Sequence, residues 1–184
     1  MDRRQALKDT AMRLFVEEGF QQTSTARVSK VAGVATGTLF TYFASKDDLI
    51  NTVYAESKSE LTAFILEKVT ESDPSIKILK SIWKQGVKWG LANPIQYRFI
   101  QLFEASAYGL AYAESHDNKI QNMIAEAYIE LGNNNTNLPQ SLMSRIINSN
   151  QNALINYLLT EENGEYNKAL SKQMLEVTLA GLMD

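Results

Sequence analysis

Apolar residues recur at intervals of three and four along nearly the whole chain, and no stretch alternates apolar and polar residues for long. The first spacing is typical of amphipathic helices, whereas alternation would indicate strands. Two of the three prolines follow a capping residue, in Asp73-Pro74 and Asn93-Pro94, as if each proline were the first residue of a helix. The pattern therefore predicts an all-α protein.

The first 46 residues predict three short helices. Gly19 is placed to end the first helix in a left-handed conformation, and Gly33 to end the second. Ser24 or Thr25 can cap the second helix, and the third begins at Thr36. The predicted inward positions are Leu7, Ala11, Leu14 and Phe15 in the first helix, and Val28, Val31 and Ala32 in the second.

Longer helices follow from Lys46 onward. Ser45-Lys46-Asp47-Asp48 approximates a capping box, with aspartate where glutamate or glutamine is usual. Two final helices are expected, one from about Pro139 and one with Leu170, Met174, Val177 and Leu182 inward, and Glu162-Asn163-Gly164-Glu165 turns between them. The asparagine-rich run at 133–137 is interpreted as a loop. We therefore expect two domains, 1–46 and 47–184.

The segment from Ser24 to Phe43 has the size and turn chemistry of a helix-turn-helix. Gly33 permits a tight turn, and Val34 can fill the angle between the two helices. Leu39 and Phe43 lie one helical turn apart and anchor the second helix inward. The residues left facing outward are Thr36, Gly37, Thr38, Thr41 and Tyr42. Short hydroxyl side chains and a glycine let such a helix approach base edges closely.

Three motifs at matching spacing make the interpretation of this segment more specific. They are Ala32-Gly33-Val34, the run Gly-Thr-Leu-Phe-Thr-Tyr-Phe at 37–43, and Ser-Lys-Asp-Asp-Leu at 45–49. Together they resemble the signature of the TetR/AcrR family of transcriptional regulators over about the first quarter of the chain. The resemblance implies an N-terminal helix-turn-helix domain followed by a larger helical domain for effector binding and dimerisation.

The resemblance also implies roles for single residues. Thr36, Thr38 and Thr41 match positions that read bases, while Tyr42 and Lys46 match positions that grip the DNA backbone. Ser24 and Thr25 are interpreted as capping residues that also suit contact with phosphate. The sequence departs from the family pattern at two positions. Phe40 replaces a frequent tyrosine and is expected to fill the core. Thr41 replaces a frequent histidine, so the operator sequence that relatives bind cannot be assigned to this protein.

Composition narrows the alternatives. The chain has no cysteine and a single histidine, His116, which argues against metal sites and thiol chemistry, and no catalytic motif is visible. We expect no cofactor and no enzyme activity. The start lacks a secretory signal and no run is apolar enough for a membrane span, so a cytoplasmic protein is expected.

Charge supports a nucleic-acid partner only weakly. The net charge is −3, and residues 1–50 hold seven Lys and Arg against six Asp and Glu. A helical partner-binding protein with a vestigial helix-turn-helix therefore remains an alternative.

The remaining expectations come from the family. The resemblance implies a homodimer formed through the last two helices, bound to palindromic double-stranded DNA, and a repressor released by a small, largely apolar effector. The close pair Ala180-Gly181 suits such an interface. Aromatic residues concentrate in the middle helices, and the candidate effector contacts are Trp83, Phe99, Phe103, Tyr108, Tyr112 and Tyr128. The sequence itself does not separate repressor from activator.

Overall fold

The computed structural model describes residues 2–70, 72–113, 119–131 and 139–183, and within these ranges it contains ten α-helices and no strand. The prediction of an all-α protein is thus confirmed. The helices are α1 Arg3–Glu18, α2 Thr25–Ala32, α3 Thr36–Tyr42, α4 Lys46–Leu66, α5 Ser75–Ala92, α6 Pro94–Glu104, α7 Ala107–Ala113, α8 Lys119–Glu130, α9 Gln140–Glu161 and α10 Lys168–Met183. His116 and the asparagine-rich run at 133–137 lie outside the described residues.

The helices form two compact units. Unit 1 contains α1 to α3, α4 as far as Glu60, α6 from Ile95 onward, and α7. Unit 2 contains the rest of α4 together with α5, α8, α9 and α10. A folding boundary near Lys46, as the sequence suggested, stays a prediction. None of the described helices is long and apolar enough to cross a membrane.

The ends of α1 and α2 follow the predicted local chemistry, with one difference. Ser24 is the N-cap of α2, and its hydroxyl accepts a hydrogen bond from the backbone N–H of Arg27 at 3.1 Å. Gly33 ends α2 in the left-handed conformation (φ 72°, ψ 28°). Gly19 also has a positive φ of 83°, but its ψ of 162° is extended rather than helical. Glycine adopts both conformations readily because it lacks a Cβ.

Helix α4 begins with a variant of the predicted capping box. The Ser45 hydroxyl accepts from the backbone N–H of Asp48 at 3.0 Å, as the motif requires. The Asp48 carboxylate accepts in return from the N–H of Ala44 at 2.8 Å, one residue before the expected position.

One of the two proline predictions is wrong by one position. Pro94 is the first residue of α6, as expected, whereas Pro74 precedes the first residue of α5 and occupies the N-cap position. Asp73 accepts hydrogen bonds from the backbone N–H of Thr70 and from the Lys77 ammonium. The side-chain amide of Asn93 donates a hydrogen bond to the carbonyl of Trp89, one of the carbonyl groups in the last turn of α5.

Two inward assignments were also wrong. Val31 is 39% exposed, and Ser29 takes a buried position on α2 instead. Val177 of α10 is 62% exposed, whereas its neighbour Thr178 is buried and donates to the Met174 carbonyl at 2.7 Å. Both helices keep an apolar side chain on a surface that their own unit does not cover.

Unit 2 packs around α5, which contacts α8, α9 and α10. The indole N–H of Trp83 donates to the Ser171 carbonyl on α10 at 3.0 Å, and the amide of Gln151 on α9 donates to the Trp83 carbonyl at 3.0 Å. Gly86 leaves the space for that amide, since a Cβ there would lie 2.7 Å from Nε2 of Gln151. The turn between α9 and α10 is confirmed by positive φ angles at Asn163 and Gly164.

Candidate nucleic-acid interface

Helices α2 and α3 form the helix-turn-helix, joined by Gly33-Val34-Ala35. The backbone N–H of Val34 donates to the Ser29 carbonyl at 3.0 Å, which closes the end of α2. Val34 is half-buried, in keeping with its predicted place in the angle between the helices. The turn is short because Gly33 reverses the chain within a single residue.

The inner side of α3 is firmly anchored. Leu39 is completely buried and Phe43, just after the helix, is almost so, which confirms the predicted anchors. Helix α3 contacts both α1 and α2. Because side chains four residues apart share one side of a helix, this burial also fixes which residues of α3 face outward.

The outer side of α3 is open. Thr36, Gly37, Thr41 and Tyr42 are exposed, and Thr38 is half-buried. A Cβ built on Gly37 would meet no atom within 4 Å, so another molecule can approach the backbone closely there. The strip is therefore not packed against the rest of its unit.

The Thr41 hydroxyl is partly engaged within the helix. It donates to the Gly37 carbonyl at 3.2 Å, one turn earlier. This bond uses the hydroxyl proton and leaves the lone pairs of the oxygen and the methyl group of this exposed side chain without a role inside the helix. In this conformation Thr41 offers an acceptor and an apolar contact.

Phe40 does not fill the core, contrary to the interpretation of the sequence. Its side chain is 49% exposed, whereas the adjacent Leu39 is fully buried. Both are apolar, and a helix as short as α3 has room to bury only one of two neighbouring positions. Sequence reasoning thus missed an exposed aromatic side chain on the candidate interface.

The flanking candidates lie at two helix starts. Ser24 is exposed at the N-cap of α2, and Thr25 is half-buried in its first turn. Lys46 is half-buried as the first residue of α4 and is followed by Asp47 and Asp48. Carboxylates in a first turn interact favourably with the helix dipole, and they also reduce the positive potential around Lys46.

Three basic residues of the N-terminal helices form ion pairs with carboxylates inside unit 1. Arg4 and Lys8 of α1 both bind the Glu56 carboxylate of α4, and Arg27 binds Glu18 at 3.0 Å. Burial acts to raise the pKa of Glu56, but the hydrogen bonds and charges of Lys8 and Arg4 outweigh it and the pKa is lowered. The charge count of the sequence therefore includes three cations whose charge is already paired with carboxylates of unit 1.

Four of the six candidate effector contacts lie together in unit 1. Phe99, Phe103, Tyr108 and Tyr112 pack with aromatic rings of α1, the following turn and α4, and we call these seven rings the aromatic cluster: Phe15, Phe20, Tyr54, Phe99, Phe103, Tyr108 and Tyr112. Phe103 is fully buried at its centre, and the ring of Tyr54 stacks on it with a centroid distance of 3.8 Å.

The other two candidates lie elsewhere. Trp83 and Tyr128 are buried in unit 2, where α5 and α8 pack against each other. The six aromatic residues therefore do not form one group, and their role as effector contacts stays a prediction.

Hydrogen bonds add to the aromatic cluster within unit 1. The Tyr108 hydroxyl donates to Asp47 at 2.8 Å, and both Tyr54 and Lys58 donate to Glu104 at 3.0 and 2.9 Å. Burial, together with the charge of Glu104, raises the pKa of Tyr54, which therefore stays protonated as a donor. Helices α6 and α7 are thus tied to α4 beside Lys46.

Comparison with known proteins also identifies a helix-turn-helix of a transcriptional regulator in the N-terminal part of the chain. Residues 7–53 match the family model described as bacterial regulatory proteins, tetR family. The HTH-type transcriptional regulator AcrR of Shigella flexneri is 36% identical over 64 residues, which is 35% of this chain and 30% of AcrR. The fatty acid metabolism regulator protein of Bacillus subtilis (strain 168) is 30% identical over 63 residues, 34% of this chain and 32% of the regulator. The chain thus aligns with about a third of the length of these curated relatives.

Structural similarity extends over the whole chain. A crystal structure of a TetR family transcription regulator from Shewanella sp. PV-4 superposes with a TM-score of 0.79 and 27% identity, covering 100% of this chain and 97% of that one. Fold and interface together define a helix-turn-helix protein. The relatives named above are regulators, in agreement with the resemblance of residues 7–53 to the TetR/AcrR family, and the solved structure shares the fold of this chain.

Proposed function

We propose that this protein is a sequence-specific DNA-binding transcriptional regulator that places α3 in the major groove of each half of a palindromic operator. The observation that carries the proposal is the anchored inner side of α3, with Leu39 buried, beneath an open outer strip from Thr36 to Tyr42. A helix held in this way presents short polar side chains to base edges without local rearrangement. The match of residues 7–53 to the tetR family model supports the same function.

The side chains divide into base readers and backbone contacts. Thr36, Thr38 and Thr41 read bases, and Thr41 acts through its oxygen as an acceptor and through its methyl group, because Gly37 holds its proton. Tyr42 and Lys46 bind phosphates on either side of the groove. Ser24 and Thr25 lie at the start of α2, where a phosphate would also meet backbone N–H groups.

Two recognition helices must be held about 34 Å apart to reach successive turns of one groove, so we propose a homodimer. The exposed sides of α9 and α10 each contain a strip of uncharged residues at successive turns, which suits burial between two copies, and the charged residues Lys172 and Glu176 lie beside the strip on α10. The uncharged positions are Ser149, Ala153 and Tyr157 on α9, and Ala169, Gln173, Val177 and Ala180 on α10. Gly181 has open space at its Cβ position, which permits close approach of a second helix.

We further propose that the protein is a repressor released by a small, largely apolar effector. The effector must bind more tightly to the form that cannot hold DNA, since equal affinity for both forms would change nothing. The aromatic cluster supports this coupling because it joins candidate effector contacts, such as Tyr108, to Asp47 at the start of α4. An effector that binds without changing operator affinity would contradict this mechanism.

Selection from random duplexes with the purified full chain tests the DNA-binding function. We expect enrichment of one palindromic sequence whose half-sites are centred about one duplex turn apart, with affinity falling steeply as salt rises. Binding that is equal for all duplexes, or no binding at low salt, would overturn the proposal and favour a helical partner-binding protein.

Single substitutions should separate the two kinds of contact. Tyr42→Ala and Lys46→Ala are expected to weaken binding to all duplexes alike, and Lys46→Ala should reduce the slope of log affinity against log salt by about one per half-site. Thr38→Ala should instead change the preferred base at one position, with a loss of discrimination of about 1 kcal/mol.

The matched control for this set is Lys80→Ala, an exposed lysine on α5 in unit 2, which should leave both properties unchanged. Fluorescence anisotropy with the selected duplex and with single-base variants measures both effects. Identical profiles for Thr38→Ala and Lys46→Ala would contradict the assignment of roles.

A further inference from the structure

Phe40 lies on the open side of α3 rather than in the core. Nearly half of its side chain is exposed, and the residues three and four positions earlier, Gly37 and Thr36, are exposed as well. Residues at these spacings are neighbours on one helix face. The ring of Phe40 therefore belongs to the same surface as the candidate base readers.

This surface lacks the side chains that usually identify bases through two hydrogen bonds. The sequence of α3 is Thr-Gly-Thr-Leu-Phe-Thr-Tyr, without arginine, lysine, asparagine or glutamine. Arginine or lysine is the common partner of guanine, and asparagine or glutamine that of adenine. Discrimination by α3 must come from hydroxyl groups and from apolar contact.

The 5-methyl group of thymine is the apolar feature that distinguishes bases in the major groove. We infer that Phe40 is a specificity-determining residue that recognises thymine by packing its ring against this methyl group. The inference rests on the proposed function and adds the base that the operator must contain. The open space at Gly37 favours it, because the helix backbone can come near the groove floor and bring the ring into reach.

Contact of Phe40 with a phosphate is disfavoured by its chemistry. A phenylalanine ring has no hydrogen-bond donor, so a phosphate packed against it would lose water without a replacement partner. A thymine methyl and the exposed ring, in contrast, both leave water when they meet. Covering one methyl group in this way corresponds to about a fourfold gain in affinity.

The test replaces thymine by deoxyuridine, which keeps the hydrogen-bonding groups and removes only the methyl group. The probe is the palindromic duplex that the wild-type full chain selects, with each symmetric pair of thymines replaced in turn. For one pair we expect affinity to fall about fifteenfold in the wild-type protein, or about fourfold per thymine. In Phe40→Ala the same replacement should have no effect, whereas Phe40→Tyr, which keeps the ring, should retain sensitivity to it.

The possible failures are distinguishable. If the wild-type protein selects no duplex, both the proposed function and this inference are overturned. If it selects a duplex without thymine, or if deoxyuridine changes binding equally in the wild type and in Phe40→Ala, only the inference fails. Phe40→Leu provides a second apolar variant in case the alanine variant is poorly folded, and it should show a reduced but measurable difference between thymine and deoxyuridine.

Discussion

Replacing Phe103 by alanine should lower the free energy of unfolding by about 3–5 kcal/mol. Phe103 is completely buried, and four aromatic rings surround it. The ring of Tyr54 stacks on it with a centroid distance of 3.8 Å. The centroids of Phe20, Tyr108 and Tyr112 lie at 6.5, 6.1 and 5.8 Å. The substitution removes the central ring of the aromatic cluster and leaves a cavity that the surrounding rings can close only in part. Denaturation by urea, followed by circular dichroism, measures the loss.

Phe40→Ala is the matched control, since it removes the same side chain from a position that is 49% exposed. We expect it to change the free energy of unfolding by less than about 1 kcal/mol. A near-neutral result for Phe103→Ala would contradict tight packing at this position. It would instead indicate that the rings around Phe103 are loosely packed.

Val177→Glu should convert the protein to a monomer and reduce affinity for the palindromic operator by about two orders of magnitude or more. Val177 is 62% exposed and lies on α10 in line with the uncharged exposed residues Gln173 and Ala180, beside the exposed ion pair of Lys172 and Glu176. Two symmetric copies of this face would bring two introduced carboxylates together without partners, which is costly in an apolar interface. Losing the second half-site removes the gain from linked binding, which commonly amounts to a factor of a hundred or more.

Ile129→Glu is the control for this variant, because Ile129 is also an exposed aliphatic residue of unit 2, at 44%, but lies on α8. Sedimentation velocity at micromolar concentration gives the oligomeric state, and anisotropy gives the operator affinity. A dimeric Val177→Glu with unchanged operator binding would rule out α10 as the interface. Equal dissociation in both variants would indicate a general effect of added charge.

Local chemistry made the helix-turn-helix predictable. Ser24 has a hydroxyl that caps α2, Gly33 has the left-handed conformation that other residues resist, and Leu39 and Phe43 share one side of α3. Each of these features depends on residues a few positions apart, so the sequence carries them directly. The family motifs then connected the segment to a function.

Features that depend on distant residues were not predictable in the same way. Phe40 and Val31 are apolar residues on short helices, and only the packing of neighbouring elements decides that they stay exposed. The aromatic cluster likewise joins Phe15 and Phe20 to Phe99 across most of unit 1's sequence. Helical periodicity indicates which residues share a face, but it does not identify the face they meet.

Helix α3 contains no charged residue, and this bears on how the preferred DNA sequence can change during evolution. Under the proposed function, electrostatic attraction toward any duplex comes from cations outside this helix, such as Lys46, whereas the choice among duplexes lies with the three threonines, the glycine and the phenylalanine of α3. Exchanging one of these small side chains alters the chosen target while general attraction to nucleic acid persists. Duplicated copies of the gene would therefore come to recognise new DNA sequences through a few substitutions in α3, while their general affinity for DNA stays unchanged.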